Sequence, residues 1–103
     1  MPTRESLQSR RKNETYNLEH WNQQWAVTIG YYPDGTVGEV FINSVKRAGT
    51  ELDSCARDTA ILFSVARQYG APIEVIRHAL TRDGNGKPNT IIGAILDQEE
   101  KQK

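Results

Sequence analysis

The sequence predicts an α+β domain: a three-stranded antiparallel meander followed by a long helix and two shorter helices, in the order β-β-β-α-α-α. Two observations predict it. Trp25, Val27, Ile29 and Tyr31 alternate with smaller or polar residues at the period of a half-buried strand, and the turn signal Pro33-Asp34-Gly35 leads into another such run. From Thr50 onward the apolar period changes to three and four residues, which is that of a helix face. An antiparallel sheet with helices gathered on one side buries both kinds of face.

The first strand is read over residues 14–21, with Tyr16, Leu18 and His20 on one side and Trp21 on the other, and Asn22-Gln23 suits a tight hairpin turn. The third strand runs over residues 37–44, with Val40 and Ile42 opposite to Phe41. The long helix is expected to bury Leu52, Cys55, Ala56, Thr59, Leu62, Phe63, Ala66 and Tyr69. Thr50 and Asp53 resemble a capping box at its start, and Gly70 suits the left-handed position that ends it. Pro72 opens a second helix that buries Ile73, Val75, Ile76, Ala79 and Leu80. Residues 81–89 are dense in glycine and turn formers. A last helix over residues 90–98 carries Ile91, Ile92, Ile95 and Leu96.

One hundred and three residues make one domain, with 13 basic and 13 acidic side chains in balance, so no global field recruits nucleic acid or an acidic membrane. The charges are unevenly placed. Arg4, Arg10, Arg11 and Lys12 stand against Glu5 in residues 1–12, which read as a disordered basic arm, and residues 99–103 read as a disordered tail around a domain at 13–98. The single cysteine, Cys55, excludes an intrachain disulfide and a cysteine-based zinc site. No apolar run is long enough to span a bilayer and no signal peptide is visible, so a cytoplasmic protein that avoids membranes is the expectation.

Ile61 and Val65 widen the apolar arc of the long helix beyond what one sheet covers, so either the other helices or a second subunit covers the rest; a homodimer is expected. Asp58 falls inside that arc and Arg57 outside it. A buried carboxylate there needs a cationic partner, for which Arg77, His78 and Arg82 are the candidates; Arg57, Asp58, Arg77, His78 and Arg82 together form the candidate binding surface. Glu74 and His78, one turn apart, suit a solvated pair.

No catalytic constellation is visible. His20 and His78 lie in no metal-ligand spacing, and the serines lack a nucleophile motif. The calcium-like run Asp83-Gly84-Asn85-Gly86 has Ala94 where a closing carboxylate belongs. No metal and no cofactor are expected. Two helices joined at Gly70 loosely fit a helix-turn-helix, which with Arg4, Arg10, Arg11 and Lys12 makes nucleic-acid binding the alternative function.

Gly30-Tyr31-Tyr32-Pro33-Asp34-Gly35-Thr36 followed by Glu39-Val40-Phe41-Ile42-Asn43 resembles the strand–turn–strand opening of the TSCPD domain. The runs at 56–62 (Ala-Arg-Asp-Thr-Ala-Ile-Leu), 76–82 (Ile-Arg-His-Ala-Leu-Thr-Arg) and 92–97 (Ile-Gly-Ala-Ile-Leu-Asp) are similar to it as well. The resemblance implies a domain associated with ribonucleotide reductases, particularly the C-terminal end of cobalamin-dependent ones, and found also in small stand-alone proteins. The Thr-Ser-Cys-Pro-Asp run that names the family is absent, as are the several cysteines of a reductase; Cys55 alone forms no redox pair. The expectation is therefore a non-catalytic accessory module, dimeric, that binds a partner protein such as a ribonucleotide reductase, or a nucleotide-like anion.

Overall fold

The computed structural model describes residues 3–101. The chain forms β1 (Asn13–His20), β2 (Gln23–Tyr31), β3 (Val37–Ser44), α1 (Glu51–Gln68), α2 (Ile73–Ala79) and α3 (Ile91–Lys101), the α+β order expected from the sequence. The strands make one antiparallel meander in the order β1-β2-β3. Val27 lies between Tyr16 and Ile42, and Ile29 opposite Val40, so one face of the sheet is apolar across all three strands. That face, closed by Ala56, Ala60 and Phe63 of α1 and by Ile91, Ile92, Ile95 and Leu96 of α3, is the core. The other face carries Thr15, Asn17, Glu19, Phe41 and Asn43 to solvent.

The first hairpin turns at Trp21 and Asn22, one residue earlier than expected. Both adopt positive φ (53° and 57°), the pair of left-handed residues that a two-residue turn requires. Edge-on packing of the Trp21 ring on Trp25, with centroids 5.9 Å apart, holds a bulky residue in that uncommon conformation. The second turn closes through Gly35 N to Tyr32 O (2.8 Å) and through Asp34 Oδ1, which accepts from Thr36 N at 2.9 Å and Thr36 Oγ1 at 2.6 Å.

Helix α1 differs from expectation in its phase. Its buried residues are Asp53, Ala56, Ala60, Phe63, Ser64 and Gln68, whereas Leu52, Cys55, Leu62 and Tyr69 are exposed; Leu62, expected in the core, is 70% exposed. At 100° per residue the true buried face is rotated by roughly a third of a turn from the apolar stripe. The cause is polar. Three of the six buried side chains are hydrophilic, and they face the backbone of β3.

β3 is an edge strand, and α1 runs antiparallel along it. Asp53 Oδ1 accepts from Ser44 N (2.8 Å), Ser64 Oγ from Val40 N (2.9 Å), and Gln68 Nε2 donates to Gly38 O (3.2 Å). Arg67 Nε donates to Val37 O at 2.7 Å. Polar side chains of a helix thus take part of the place of a fourth strand and cover much of that edge. The capping box is half formed for the same reason: Thr50 Oγ1 accepts from Asp53 N (3.1 Å), but the Asp53 carboxylate serves Ser44 and Gly49 instead.

The helix ends as expected, at Gly70 with φ 99°. Ala71 N bonds Ala66 O and Gly70 N bonds Arg67 O, both at 3.0 Å, in the Schellman pattern. Helix α2 buries less than expected. Ile73, Ile76 and Leu80 pack partly on the core, Val75 and Ala79 are exposed, and none of its residues is fully buried. Helix α3 buries its four expected residues but continues to Lys101.

Candidate functional site

Asp58 lies on the outer side of α1, whereas Arg57 lies on its flank, one turn after buried Asp53. Arg57 is exposed, with Nη1 3.9 Å from Asp53 Oδ2. The expectation for Asp58 fails: it is exposed and meets neither Arg77, His78 nor Arg82. It stands beside Leu62, Val65 and Tyr69 on the side of the helix opposite the sheet, because residues spaced by three and four share a face.

Arg77 and Arg82 do converge, on a residue that the sequence reading did not single out. Arg82 Nη1 and Nη2 donate to Asp97 Oδ2 and Oδ1 at 2.9 and 2.8 Å, a two-pronged pair, and Arg77 Nε donates to Asp97 Oδ1 at 3.0 Å. The Arg82 hydrogen bonds, then those from Arg77, hold the Asp97 carboxyl below its ordinary range. Arg77 also reaches Glu74 Oε2 at 3.2 Å, as does His78 Nε2 at 3.2 Å. These contacts lock α2 and the 81–89 loop onto α3. Both arginines are engaged, which leaves little charge to attract an anion. Asp97 was legible only as part of a matching run; its arginine partners lie 15 and 20 residues earlier, and only folding brings them together.

A second cluster lies between β1, β2 and α3. Tyr31 Oη donates to Glu99 Oε1 (2.6 Å) and contacts Glu14 Oε2 (3.0 Å), while Tyr16 Oη donates to Glu99 Oε2 (3.1 Å). Glu99, expected to begin the tail, is 8% exposed. Extending the spacing of Ile92, Ile95 and Leu96 by one step places it on the buried face, a signal present in the sequence. Burial first, and the Glu99 carboxylate second, push both phenols well above their ordinary range. Glu99, Tyr31, Lys12 and Arg77 line a cleft of about 180 Å³.

Before β1, Arg4 Nε donates to Gln68 Oε1 (2.7 Å), Glu5 N to Gln68 O (2.6 Å), and Tyr32 Oη to Glu5 O (2.6 Å). Arg11 pairs with Glu39, against which a side chain on Gly30 would collide, and Lys12 Nζ lies 5.7 Å over the Tyr31 ring. Arg10 is exposed. Residues 1, 2, 102 and 103 of the two ends expected to be disordered lie outside the described residues. Among the described residues, no group of three or more histidine, cysteine or carboxylate side chains is placed to hold a metal, and no helix is long and apolar enough to cross a membrane.

The family model of the TSCPD domain matches residues 2–98. The chain is 35% identical over 75 residues to a vitamin B12-dependent ribonucleotide reductase of Rhodopirellula baltica, covering 73% of this chain and 7% of that protein. It is 35% identical over 81 residues to the enzyme of the same description from Bradyrhizobium diazoefficiens, covering 79% of this chain and 6% of that protein. A third, from Agrobacterium fabrum, is 32% identical over 78 residues, or 76% of this chain and 6% of the reductase. No solved structure gives a significant match. The chain thus corresponds to a small part of the reductases that it resembles.

Proposed function

Because this chain belongs to the TSCPD domain family, we propose that it works as a non-catalytic accessory module that docks on a protein of the ribonucleotide reductase class. The observation that carries this reading is the outer face of α1. Leu62 projects there at 70% exposure, Ile61 and Tyr69 are also exposed, and Arg57 and Asp58 flank them. Exposed large apolar side chains on one helix face, bordered by charge, suit a protein partner better than a small anion. Arg77, His78 and Arg82 serve the fold in this reading, since Arg77 and Arg82 are tied to Asp97 and His78 to Glu74. The nucleic-acid reading has less support, since two of its four basic residues, Arg4 and Arg11, already bond Gln68 and Glu39, and the chain carries no net charge.

The test is binding of the full chain to a purified vitamin B12-dependent ribonucleotide reductase from which its own TSCPD region has been deleted, read by biolayer interferometry. The expected result is saturable binding at micromolar concentration, weakened about ten-fold or more by Leu62→Glu. Absence of binding at about a hundred times that concentration would overturn the partner class. Equal binding by Leu62→Glu would overturn the surface.

A further inference from the structure

The two edges of the sheet are treated differently. On β3, Gly38 O, Ser44 N and both polar groups of Val40, which point away from β2, are met by side chains of α1. On β1, no hydrogen bond among the described residues meets the corresponding groups. The hairpin phase, with Lys12 O accepting from Tyr31 N, assigns the even-numbered residues of β1 to bonding with β2 and turns the N–H and C=O of Asn13, Thr15, Asn17 and Glu19 outward. Among the described residues no hydrogen bond reaches these outward groups, and all four residues are exposed. β1 is eight residues long and carries no proline, glycine, lysine or bulge, the devices that ordinarily blunt an open edge.

We propose that β1 is a self-pairing edge: two copies of the chain join antiparallel through β1 and make one continuous sheet. The strand's own sequence selects the second copy as occupant. A two-fold axis at Asn17 sets Thr15 opposite Glu19, Glu14 opposite His20 and half-buried Tyr16 opposite half-buried Leu18. No like charges face each other, and acid meets imidazole. The odd-numbered residues then exchange N–H and C=O bonds in pairs, so every outward group of Thr15, Asn17 and Glu19 finds a partner. On the solvent side the joined strands present only polar side chains, continuing the polar face of the sheet. This pairing is independent of whatever the outer face of α1 binds.

The experiment is sedimentation of the full chain together with amide hydrogen exchange resolved by NMR, on the wild type and on Asn17→Lys and Asn17→Pro. Asn17 is exposed and its N–H points outward, so both changes spare the bonds to β2 while opposing like charges or removing a donor at the axis. The expected wild type has twice the mass of one 11.6 kDa chain, with the Thr15, Asn17 and Glu19 amides protected. Asn17→Lys is expected to be monomeric, with fast exchange at Thr15 and Glu19 and an unchanged circular dichroism spectrum; Asn17→Pro serves if the lysine variant does not fold. A monomeric wild type, a dimer in which these amides exchange freely, or a dimer that survives a folded Asn17 variant would each overturn the proposal.

Discussion

Ser64 meets both polar groups of one residue in the facing strand: its Oγ accepts from Val40 N at 2.9 Å and lies 3.3 Å from Val40 O. It also sits 2.8 Å from Ala60 O, so its single proton is shared between two carbonyls. One hydroxyl buried in a helix thereby completes an edge strand and fixes which face of α1 turns inward.

Replacing Ser64 with alanine leaves the buried Val40 amide without a partner, and is expected to cost about 1–3 kcal/mol in urea unfolding. Ser54→Ala, on the exposed side of the same helix, is expected to stay within about 0.5 kcal/mol. Equal effects of the two changes would sink the account of the β3 edge.

The phase of α1 makes neighbouring residues opposite in effect. Phe63→Ala removes a core side chain and is expected to destabilise by about 3–5 kcal/mol, whereas Leu62→Ala is expected to change stability by less than about 0.5 kcal/mol. Thermal or denaturant unfolding of the pair decides it, and a large loss at Leu62 would restore the phase expected from the apolar stripe.

Acid should loosen the fold through two carboxylates. Asp53, bonded by Ser44 N and then Gly49 N, and Asp97, bonded by Arg82 and then Arg77, are both held below their ordinary range. A lowered folded-state pKa contributes stability that is present above the unfolded value of about 4 and is lost as pH falls through the folded one. Stability measured from about pH 5 down to 2 should therefore fall less steeply in Asp53→Asn and Asp97→Asn than in the wild type. Parallel curves would show that neither group titrates with folding.

Tyr16 and Tyr31 titrate in the other direction. Burial and then Glu99 raise both phenols, so their contribution is present below the unfolded value of about 10 and is lost as pH rises beyond it. Ultraviolet titration of the native protein up to about pH 11 should give the same tyrosinate absorbance in Tyr16→Phe and Tyr31→Phe as in the wild type. A drop in either variant would mean that the phenol ionises in the fold.

Much of this architecture was legible from the chain. The meander, its second turn, the Gly70 helix end and the apolar face of α3 follow from periods and turn chemistry that act over a few residues. The face of α1 did not. Its apolar stripe pointed at Leu62, but Asp53, Ser64 and Gln68 turned inward to satisfy backbone groups that exist only once β3 becomes an edge. Asp58 was misplaced by the same rotation. Asp97 and Glu99 were under-read because their partners, Arg77, Arg82, Tyr16 and Tyr31, are distant in sequence.

By itself the sequence determined the elements, their order and the family, because local propensity and alternation are encoded within each segment and the matching runs are contiguous. Tertiary structure alone decided which side of α1 faces solvent, which cations are already paired, and which edge of the sheet stays open. Those outcomes depend on hydrogen bonds between segments far apart in the chain, and a buried polar group turns toward whatever partner folding brings within reach.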